Sequence, residues 1–167
     1  VTSSSSPLIA LADCNNFYAS CERCFQPALK QTPIVVLSNN DGCVIARSAE
    51  SKALGIPMGA AFFEIEVLCD YHHVQVFSSN FALYGDLSNR VMSVLRQHVA
   101  TLEVYSIDEA FLQLPLNTDN AEAHCRDLSA KVEQATGIPL SIGIAPTKTL
   151  AKLANHIAKK NTGVYLL

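Results

Sequence analysis

The sequence lacks the long apolar run that a membrane-spanning helix needs. Such a helix takes about 20 consecutive apolar residues, and no run approaches that length although 49% of the 167 residues are hydrophobic. Residues 1–7 contain neither a basic region nor an apolar segment, so they do not resemble a secretion signal. We therefore expect a globular protein with a disordered lead over residues 1–6, followed by one core with at most a small subdomain.

The sequence also lacks a basic excess. Its 12 lysine and arginine residues stand against 15 aspartate and glutamate residues, which gives a net charge of −3. Free-standing nucleic-acid-binding domains usually carry the opposite balance, so this class is disfavoured. Nucleic-acid chemistry on a metal-charged face stays open, as does a basic surface supplied by another part of the protein.

A second cysteine pair with zinc-ligand spacing is missing as well. Cys21 and Cys24 have the spacing of one half of a zinc site, but a structural site takes four ligands, and no histidine stands at ligand spacing to the pair. Because a secretion signal is also missing, we expect the six cysteines to be reduced thiols of a cytosolic protein.

Two short apolar stretches carry carboxylates. Residues 104–112 form a β-prone run with Asp108 and Glu109 in its middle, and residues 8–13 form another that ends in Asp13. An unpaired buried charge is costly, so these carboxylates need a cation. Mg²⁺ takes oxygen ligands of this kind, and the pattern therefore predicts a divalent-metal site. An acidic surface turn is the alternative.

The two adjacent carboxylates impose a geometric condition on such a site. Neighbouring side chains of a regular strand point to opposite faces of the sheet. Asp108 and Glu109 can therefore serve one site only if they lie at a strand end or in a hairpin turn.

The order of the predicted elements is strand, helix, hairpin, helix, strand, which is typical of a ferredoxin-like α+β fold with helices on one face of the sheet. A segment from about residue 26 to residue 77 is inserted between the first strand and the first long helix. Strands are predicted at 8–12, 34–37, 43–46, 74–77 and 140–145, and helices at 48–54, at 59–68, after a cap at Asn15 or Asn16, after Asn80, after Asn120 and from Pro146 onwards.

The last helix has two predicted faces. Five apolar residues recur at helical spacing and predict a core-facing stripe: Leu150, Leu153, Ala154, Ile157 and Ala158. Lys148, Lys152 and Lys159 fall within about 40° of one another on a helical wheel. A solvated lysine face is one interpretation, and a phosphate-binding face beside the metal site is the other.

Four segments resemble the motifs of the Y-family translesion DNA polymerases and follow that family's order. They are residues 12–22, 35–47, 105–111 and 143–155. The resemblance extends from Pro7 to the last residue. It implies a palm formed by residues 7–25 and 78–167 and a fingers-like insertion at 26–77. It also implies that this chain is a catalytic-core fragment, without the thumb and the C-terminal DNA-binding domain.

The resemblance implies a reaction and its participants. The enzyme would add deoxynucleotides to a primer opposite damaged template by two-metal-ion nucleotidyl transfer, in DNA repair and the SOS response. Two Mg²⁺ ions would serve as cofactors, with Mn²⁺ as a substitute. The implied partners are primer–template DNA and dNTP and, in the full-length cytoplasmic protein, an accessory subunit, a recombinase filament and a sliding clamp.

The resemblance also implies roles for individual residues. Asp13, Asp108 and Glu109 would be catalytic metal ligands, joined by the backbone carbonyl of Cys14. The ring of Tyr18 would exclude the ribose 2′-OH, and Lys152 would hold the triphosphate. The remaining implied nucleotide contacts are Phe17, Ile45, Ala46 and Lys52.

The fingers-like segment departs from many relatives in its triphosphate contacts. Ala46, Ala49 and Lys52 stand where those relatives carry a hydroxyl, a tyrosine and an arginine. Of these three positions only Lys52 keeps a side chain that can bind a phosphate.

Two other function classes remain open from the sequence. A nucleotide cyclase can use a similar sheet and paired carboxylates, but it has no role for the insertion or for Tyr18. A non-catalytic interaction domain would carry the acidic residues for structural reasons and would show no Mg²⁺- or Mn²⁺-dependent stabilisation.

Overall fold

The computed structural model describes residues 7–114 and 118–167, with the backbone alone at residues 118 and 119. The lead expected at residues 1–6 lies outside this part of the chain. By its internal contacts the chain divides into two units. One contains the described residues up to Asn15 together with Asp86–Leu167, and the other contains Asn16–Gly85.

The predicted α+β class is confirmed. In chain order, the strands are β1 (Ile9–Cys14), β2 (Ile34–Leu37), β3 (Val44–Arg47), β4 (Gln75–Phe77), β5 (Thr101–Ser106), β6 (Glu109–Gln113), β7 (Leu140–Ala145) and β8 (Val164–Leu166). The helices are α1 (Phe17–Cys24), α2 (Ala49–Ala53), α3 (Phe62–Tyr71), α4 (Phe81–His98), α5 (Thr118–Thr136) and α6 (Lys148–Lys160), with a 3-10 turn at Pro27–Leu29. Among these helices, none is both long and apolar enough to cross a membrane.

The first unit is built on a five-stranded sheet with the strand order β5-β6-β1-β7-β8. β1 lies in the middle and is antiparallel to both β6 and β7. All six residues of β7 are buried, and alternate side chains point to opposite faces. Both faces of this strand are therefore covered, and helix α6 packs directly on it.

A glycine sets how closely α6 packs on the sheet. Gly143 of β7 lies so near the helix that an added Cβ would stand 2.0 Å from the backbone nitrogen of Asn155 and 2.5 Å from the carbonyl oxygen of Ala151. The buried Asn155 amide donates to the carbonyl oxygens of Leu11 and Ser141, at 3.2 and 2.9 Å. Only small side chains and this amide fit at the contact.

This close packing corrects the stripe predicted for α6. Its buried residues are Ala151, Ala154, Asn155 and Ala158. Leu150 and Leu153, predicted as core, are 38% and 50% exposed. The helix turns its small residues towards Gly143, and the two leucines are turned outwards.

The helical spacing of five residues predicts an apolar stripe along α5: Ala121, Cys125, Leu128, Val132 and Ala135. The structure agrees with this stripe except at its end. Ala121, Cys125, Leu128 and Val132 are buried as predicted, but Ala135 is exposed and its neighbour Thr136 is buried instead. The Thr136 hydroxyl donates to the carbonyl oxygen of Val132 at 2.7 Å. A hydroxyl satisfied by its own helix can replace an apolar side chain here.

The second unit has a three-stranded sheet with the order β3-β2-β4. β2 is antiparallel to β3, as the Asp41-Gly42 turn between the two strands predicts for a hairpin, and parallel to β4. The residues that form its core are Val35, Leu37, Val44, Ile56, Ile65, Cys69 and Val74. Because α1 packs on β2 and β3, this unit begins at Asn16, whereas the sequence places the boundary between residues 25 and 26. The palm and fingers boundaries remain a prediction.

In the second unit, helix α1 begins directly after Asn16 as predicted but without a side-chain cap, and helix α3 begins later than predicted. Asn16 stands at the N-cap of α1 with a left-handed backbone (φ 46°), and its side chain does not cap the helix. Instead its Oδ1 accepts a hydrogen bond from Lys52. Helix α3 begins at Phe62 rather than Gly59, because Ala61 is held in a bridge to Cys43.

Candidate active site

The two adjacent carboxylates lie at the tip of the β5–β6 hairpin. Asp108 occupies the tight turn, and Glu109 is the first residue of β6. The pairing of the two strands shifts register between Val104 and Ser106. The Ser106 hydroxyl lies 2.9 Å from Asp108 Oδ1 and 3.0 Å from Glu109 Oε2. Because the chain turns here, both side chains can reach one hydroxyl, which meets the geometric condition set by the sequence.

Asp13 lies directly beside this hairpin. It stands opposite Glu109 in the antiparallel pairing of β1 with β6, and side chains in such positions share a face with Cβ atoms about 4.5–5.5 Å apart. The next residue, Cys14, donates its backbone N–H to the carbonyl oxygen of Asp108 at 2.9 Å. The structure thus brings Asp13, Cys14, Asp108 and Glu109 to one end of the sheet.

The Asp13 carboxylate is buried, and a lysine is bound to it. Asp13 is 5% exposed, and Lys159 Nζ donates to its Oδ2 at 2.6 Å. Burial raises the pKa of Asp13 to about 6; Lys159 opposes this shift, while the negative charges of Asp108 and Glu109 add to it. This end of the sheet therefore gathers negative charge that one lysine only partly balances.

Each of the three lysines predicted on one face of α6 contacts a side chain of the sheet. Lys148 forms an ion pair with Glu103 at 2.6 Å. Lys152, predicted to hold the triphosphate, donates to the Tyr105 hydroxyl at 2.7 Å, and its Nζ lies 4.2 Å from the centre of that ring. Lys159 is the one of the three that contacts Asp13 of the candidate site.

Lys159 is the functional candidate that the sequence does not single out. Lys152 and Lys159 are seven residues apart, so they lie two turns from each other on the same side of the helix. A helical wheel cannot tell which of them reaches Asp13. The register of α6 on Gly143 decides it, and no local sequence signal reports that register.

The donor set fits a hard divalent cation, although the ligands are not preassembled. Three carboxylates lie at one end of the sheet, and carboxylate oxygens are the ligands that Mg²⁺ prefers. Within residues 7–114 and 118–167, however, no three histidine, cysteine or acidic side chains lie close enough together to hold a metal ion. Lys159 occupies one oxygen of Asp13, and Ser106 contacts the other two carboxylates.

The remaining predicted nucleotide contacts belong to the second unit. Tyr18 of α1 stacks on Tyr84, with ring centres 4.5 Å apart and planes at 19°, and meets Phe81 edge-on at 6.0 Å. Tyr84 is fully buried and donates its hydroxyl to Glu22 at 2.8 Å. Burial and this hydrogen bond raise the pKa of Tyr84 far above its usual value. The Tyr18 ring is therefore held in a fixed aromatic stack.

The other four predicted contacts are placed as follows. Phe17 is buried, and Ile45 and Ala46 are consecutive residues of β3. Lys52 of α2 donates to Asn16 Oδ1. Their roles towards a nucleotide remain predictions.

The sequence matches a known family over most of its length. The sequence model of the impB/mucB/samB family matches residues 12–156, which include Asp13, Asp108, Glu109 and Lys152. The chain belongs to the impB/mucB/samB family. This membership confirms the resemblance that the four motifs indicate.

The chain matches only part of the length of its relatives. It is 51% identical to protein UmuC of Salmonella typhimurium, covering 92% of this chain and 37% of UmuC. It is 33% identical to DNA polymerase IV of Bacillus velezensis, covering 93% and 38%. The chain thus spans less than two fifths of these relatives.

A solved structure shows the same fold. The crystal structure of DinB from Sulfolobus solfataricus is similar with a TM-score of 0.86 at 26% sequence identity, over 96% of this chain and 48% of that chain.

Proposed function

We propose that this member of the impB/mucB/samB family is the catalytic core of a Y-family translesion DNA polymerase. It would add deoxynucleotides to a primer opposite damaged template. The observation that carries the proposal is the placement of Asp13, Asp108 and Glu109 at one end of the sheet, on β1 and the β5–β6 hairpin. The similarity to DNA polymerase IV of Bacillus velezensis supports the same reaction.

The proposed metal ligands are Asp13, Asp108, Glu109 and the backbone carbonyl of Cys14. We propose Mg²⁺ as the cofactor, as two ions, with Mn²⁺ as a substitute. When bound, the ions stabilise the attacking and the leaving oxygens of the phosphoryl transfer. Ser106 has a positioning role, because its hydroxyl contacts both Asp108 and Glu109 and limits their rotation.

Lys159 is proposed to act on the triphosphate. Its ammonium group now neutralises Asp13, at 2.6 Å. A phosphate oxygen of an incoming nucleotide can take the place of that carboxylate, since a charge-assisted hydrogen bond to phosphate is equally strong. Lys152 keeps its predicted triphosphate role as a second cation, because the Tyr105 hydroxyl uses one of its three N–H donors.

Residues of the second unit are proposed as further nucleotide contacts. The Tyr18 ring would stand against the sugar and reject a 2′-OH, and the stack on Tyr84 fixes the ring in place. Phe17, Ile45, Ala46 and Lys52 are the other proposed contacts. In this proposal residues 26–77 are the fingers, and residues 7–25 and 78–167 are the palm.

The longer protein is proposed to supply the remaining functions. Relatives extend well beyond the length of this chain, and that additional length would provide the thumb and the C-terminal DNA-binding domain. We propose primer–template DNA as the substrate, with an accessory subunit, a recombinase filament and a sliding clamp as partners. The proposed setting is cytoplasmic DNA repair in the SOS response.

Metal-dependent nucleotide binding tests the proposal. We expect Mg²⁺ or Mn²⁺ with dNTP to raise the melting temperature of this chain, and Asp108→Asn to abolish the rise. Asp127→Asn is the matched control, because Asp127 is an exposed acid that forms an ion pair with its helix neighbour Lys131. The proposal would be contradicted if metal and nucleotide left the melting temperature of this chain unchanged. Conversion of a nucleotide in the absence of primer would favour the alternative function, a nucleotide cyclase.

A further inference from the structure

Helix α3 is apolar on two opposite sides. On the inner side Ile65 and Cys69 are buried in the core of the second unit. On the outer side Phe63, Val67 and Tyr71 are 78%, 81% and 78% exposed. These three residues recur every four positions, so they form a continuous row, which we call the α3 stripe.

The α3 stripe is presented by a well-anchored helix. At the start of α3, the backbone N–H of Phe62 donates to the carbonyl oxygen of Gly42 at 2.9 Å. Just beyond the end of α3, the backbone N–H of Val74 donates to the carbonyl oxygen of Cys69, also at 2.9 Å. A helix at a protein surface normally has a polar outer side. Large exposed apolar side chains in one row are typical of an interaction surface.

The charged side chains of α3 itself are all negative. α3 contains Glu64, Glu66 and Asp70 and no basic residue. At 100° per residue, Glu64 lies on one flank of the stripe, and Glu66 and Asp70 lie on the other. Carboxylates on both flanks repel nucleic-acid phosphates and anionic lipid headgroups. They attract a protein surface that carries lysine and arginine.

We propose that the α3 stripe docks into an apolar groove of a partner protein whose rims carry lysine and arginine. In this mode a helix lays an apolar row into a groove, and the flanking charges select the partner and speed the encounter. The inference does not depend on polymerase activity, since α3 contains none of the residues proposed for the active site.

Two designed helical peptides test the proposal with the 167-residue chain. Both carry the same leucine row, flanked by lysines in one peptide and by glutamates in the other. We expect fluorescence anisotropy to show binding of the lysine peptide that weakens as salt is added. Val67→Lys should weaken it at least about tenfold, because it places a charge in the centre of the contact. Val67→Ala should weaken it less.

A matched control distinguishes binding at the α3 stripe from non-specific binding to any exposed apolar residue. Leu153→Lys changes another exposed apolar residue of a helix, in α6, and should leave binding unchanged. Since Val67 is 81% exposed, Val67→Lys should retain the far-ultraviolet circular dichroism of the parent chain.

Several results would overturn the proposal. These are equal binding of the two peptides, no binding of the lysine peptide, and binding that survives Val67→Lys. Concentration-dependent self-association that Val67→Lys abolishes would identify a second copy as the occupant. Protection of a Val67→Cys thiol from alkylation in the longer protein alone would identify an internal segment. Either occupant replaces the proposed partner.

Discussion

Replacing Gly143 by alanine should destabilise the first unit strongly. The new Cβ would meet the backbone nitrogen of Asn155 at 2.0 Å and the carbonyl oxygen of Ala151 at 2.5 Å. Both atoms belong to the backbone of α6, so no side chain can rotate away to make room. The helix must move off the sheet, and the two hydrogen bonds of the Asn155 amide to Leu11 and Ser141 are strained with it.

The expected size follows from this geometry. Overpacking a core usually costs about 1–3 kcal/mol, and a contact against backbone should lie at the upper end of that range. We therefore expect Gly143→Ala to lower the free energy of unfolding of the first unit by about 3 kcal/mol, a large part of the roughly 5–15 kcal/mol of a typical domain. Because Lys159 lies on the displaced helix, nucleotide-dependent stabilisation should fall as well.

Urea denaturation followed by circular dichroism measures the loss, and amide exchange in β7 and α6 assigns it to the first unit. The control is Gly85→Ala, since Gly85 lies within α4 and its added Cβ meets no atom within 4 Å. That change should stabilise by about 0.5–1 kcal/mol. If Gly143→Ala changes the free energy of unfolding by less than about 0.5 kcal/mol, the close packing at Gly143 does not keep α6 on the sheet.

Three further predictions concern the site. Lys159→Met should weaken metal-dependent nucleotide binding at least about tenfold, since a charged hydrogen bond contributes about 1.5–3 kcal/mol; an unchanged affinity in calorimetry would remove Lys159 from the site. Tyr18→Ala in the longer protein should raise ribonucleotide incorporation and leave metal binding intact, whereas unchanged dNTP selection in primer extension would leave Tyr18 as a packing residue. The isolated chain should extend a primer weakly or not at all, because 12 basic residues against 15 acidic ones offer no broad cationic track for DNA. Primer extension and salt-titrated DNA binding, measured for this chain and for the longer protein, check the prediction. Similar extension rates and DNA affinities for the two proteins would contradict it.

The β5–β6 hairpin could be predicted because its signals are local. Apolar strands with carboxylates at their ends, and the geometric condition on Asp108 and Glu109, are properties of neighbouring residues. The same holds for the α5 stripe up to Val132, whose spacing follows from the helical period alone.

The rotation of α6 could not be predicted, because it depends on a contact distant in sequence. Helical periodicity favours Leu150 and Leu153 as core residues, and only the approach of the α6 backbone to Gly143 excludes them. The choice between Lys152 and Lys159 follows from the same contact. The boundary at Asn16 likewise depends on the packing of α1 against β2 and β3, which no composition change marks.

The most direct test of the proposed active site is a crystal structure of this chain with Mn²⁺ and a dNTP. We expect anomalous scattering from ions bound between Asp13 and Asp108, with Glu109 as a further ligand and Lys159 moved from Asp13 to a phosphate oxygen. The proposed site would be contradicted by Asp13 and Asp108 carboxyl groups more than about 8 Å apart, which is too far to share ions spaced about 3.5–4 Å. Ions bound elsewhere, with Lys159 still on Asp13, would contradict it equally.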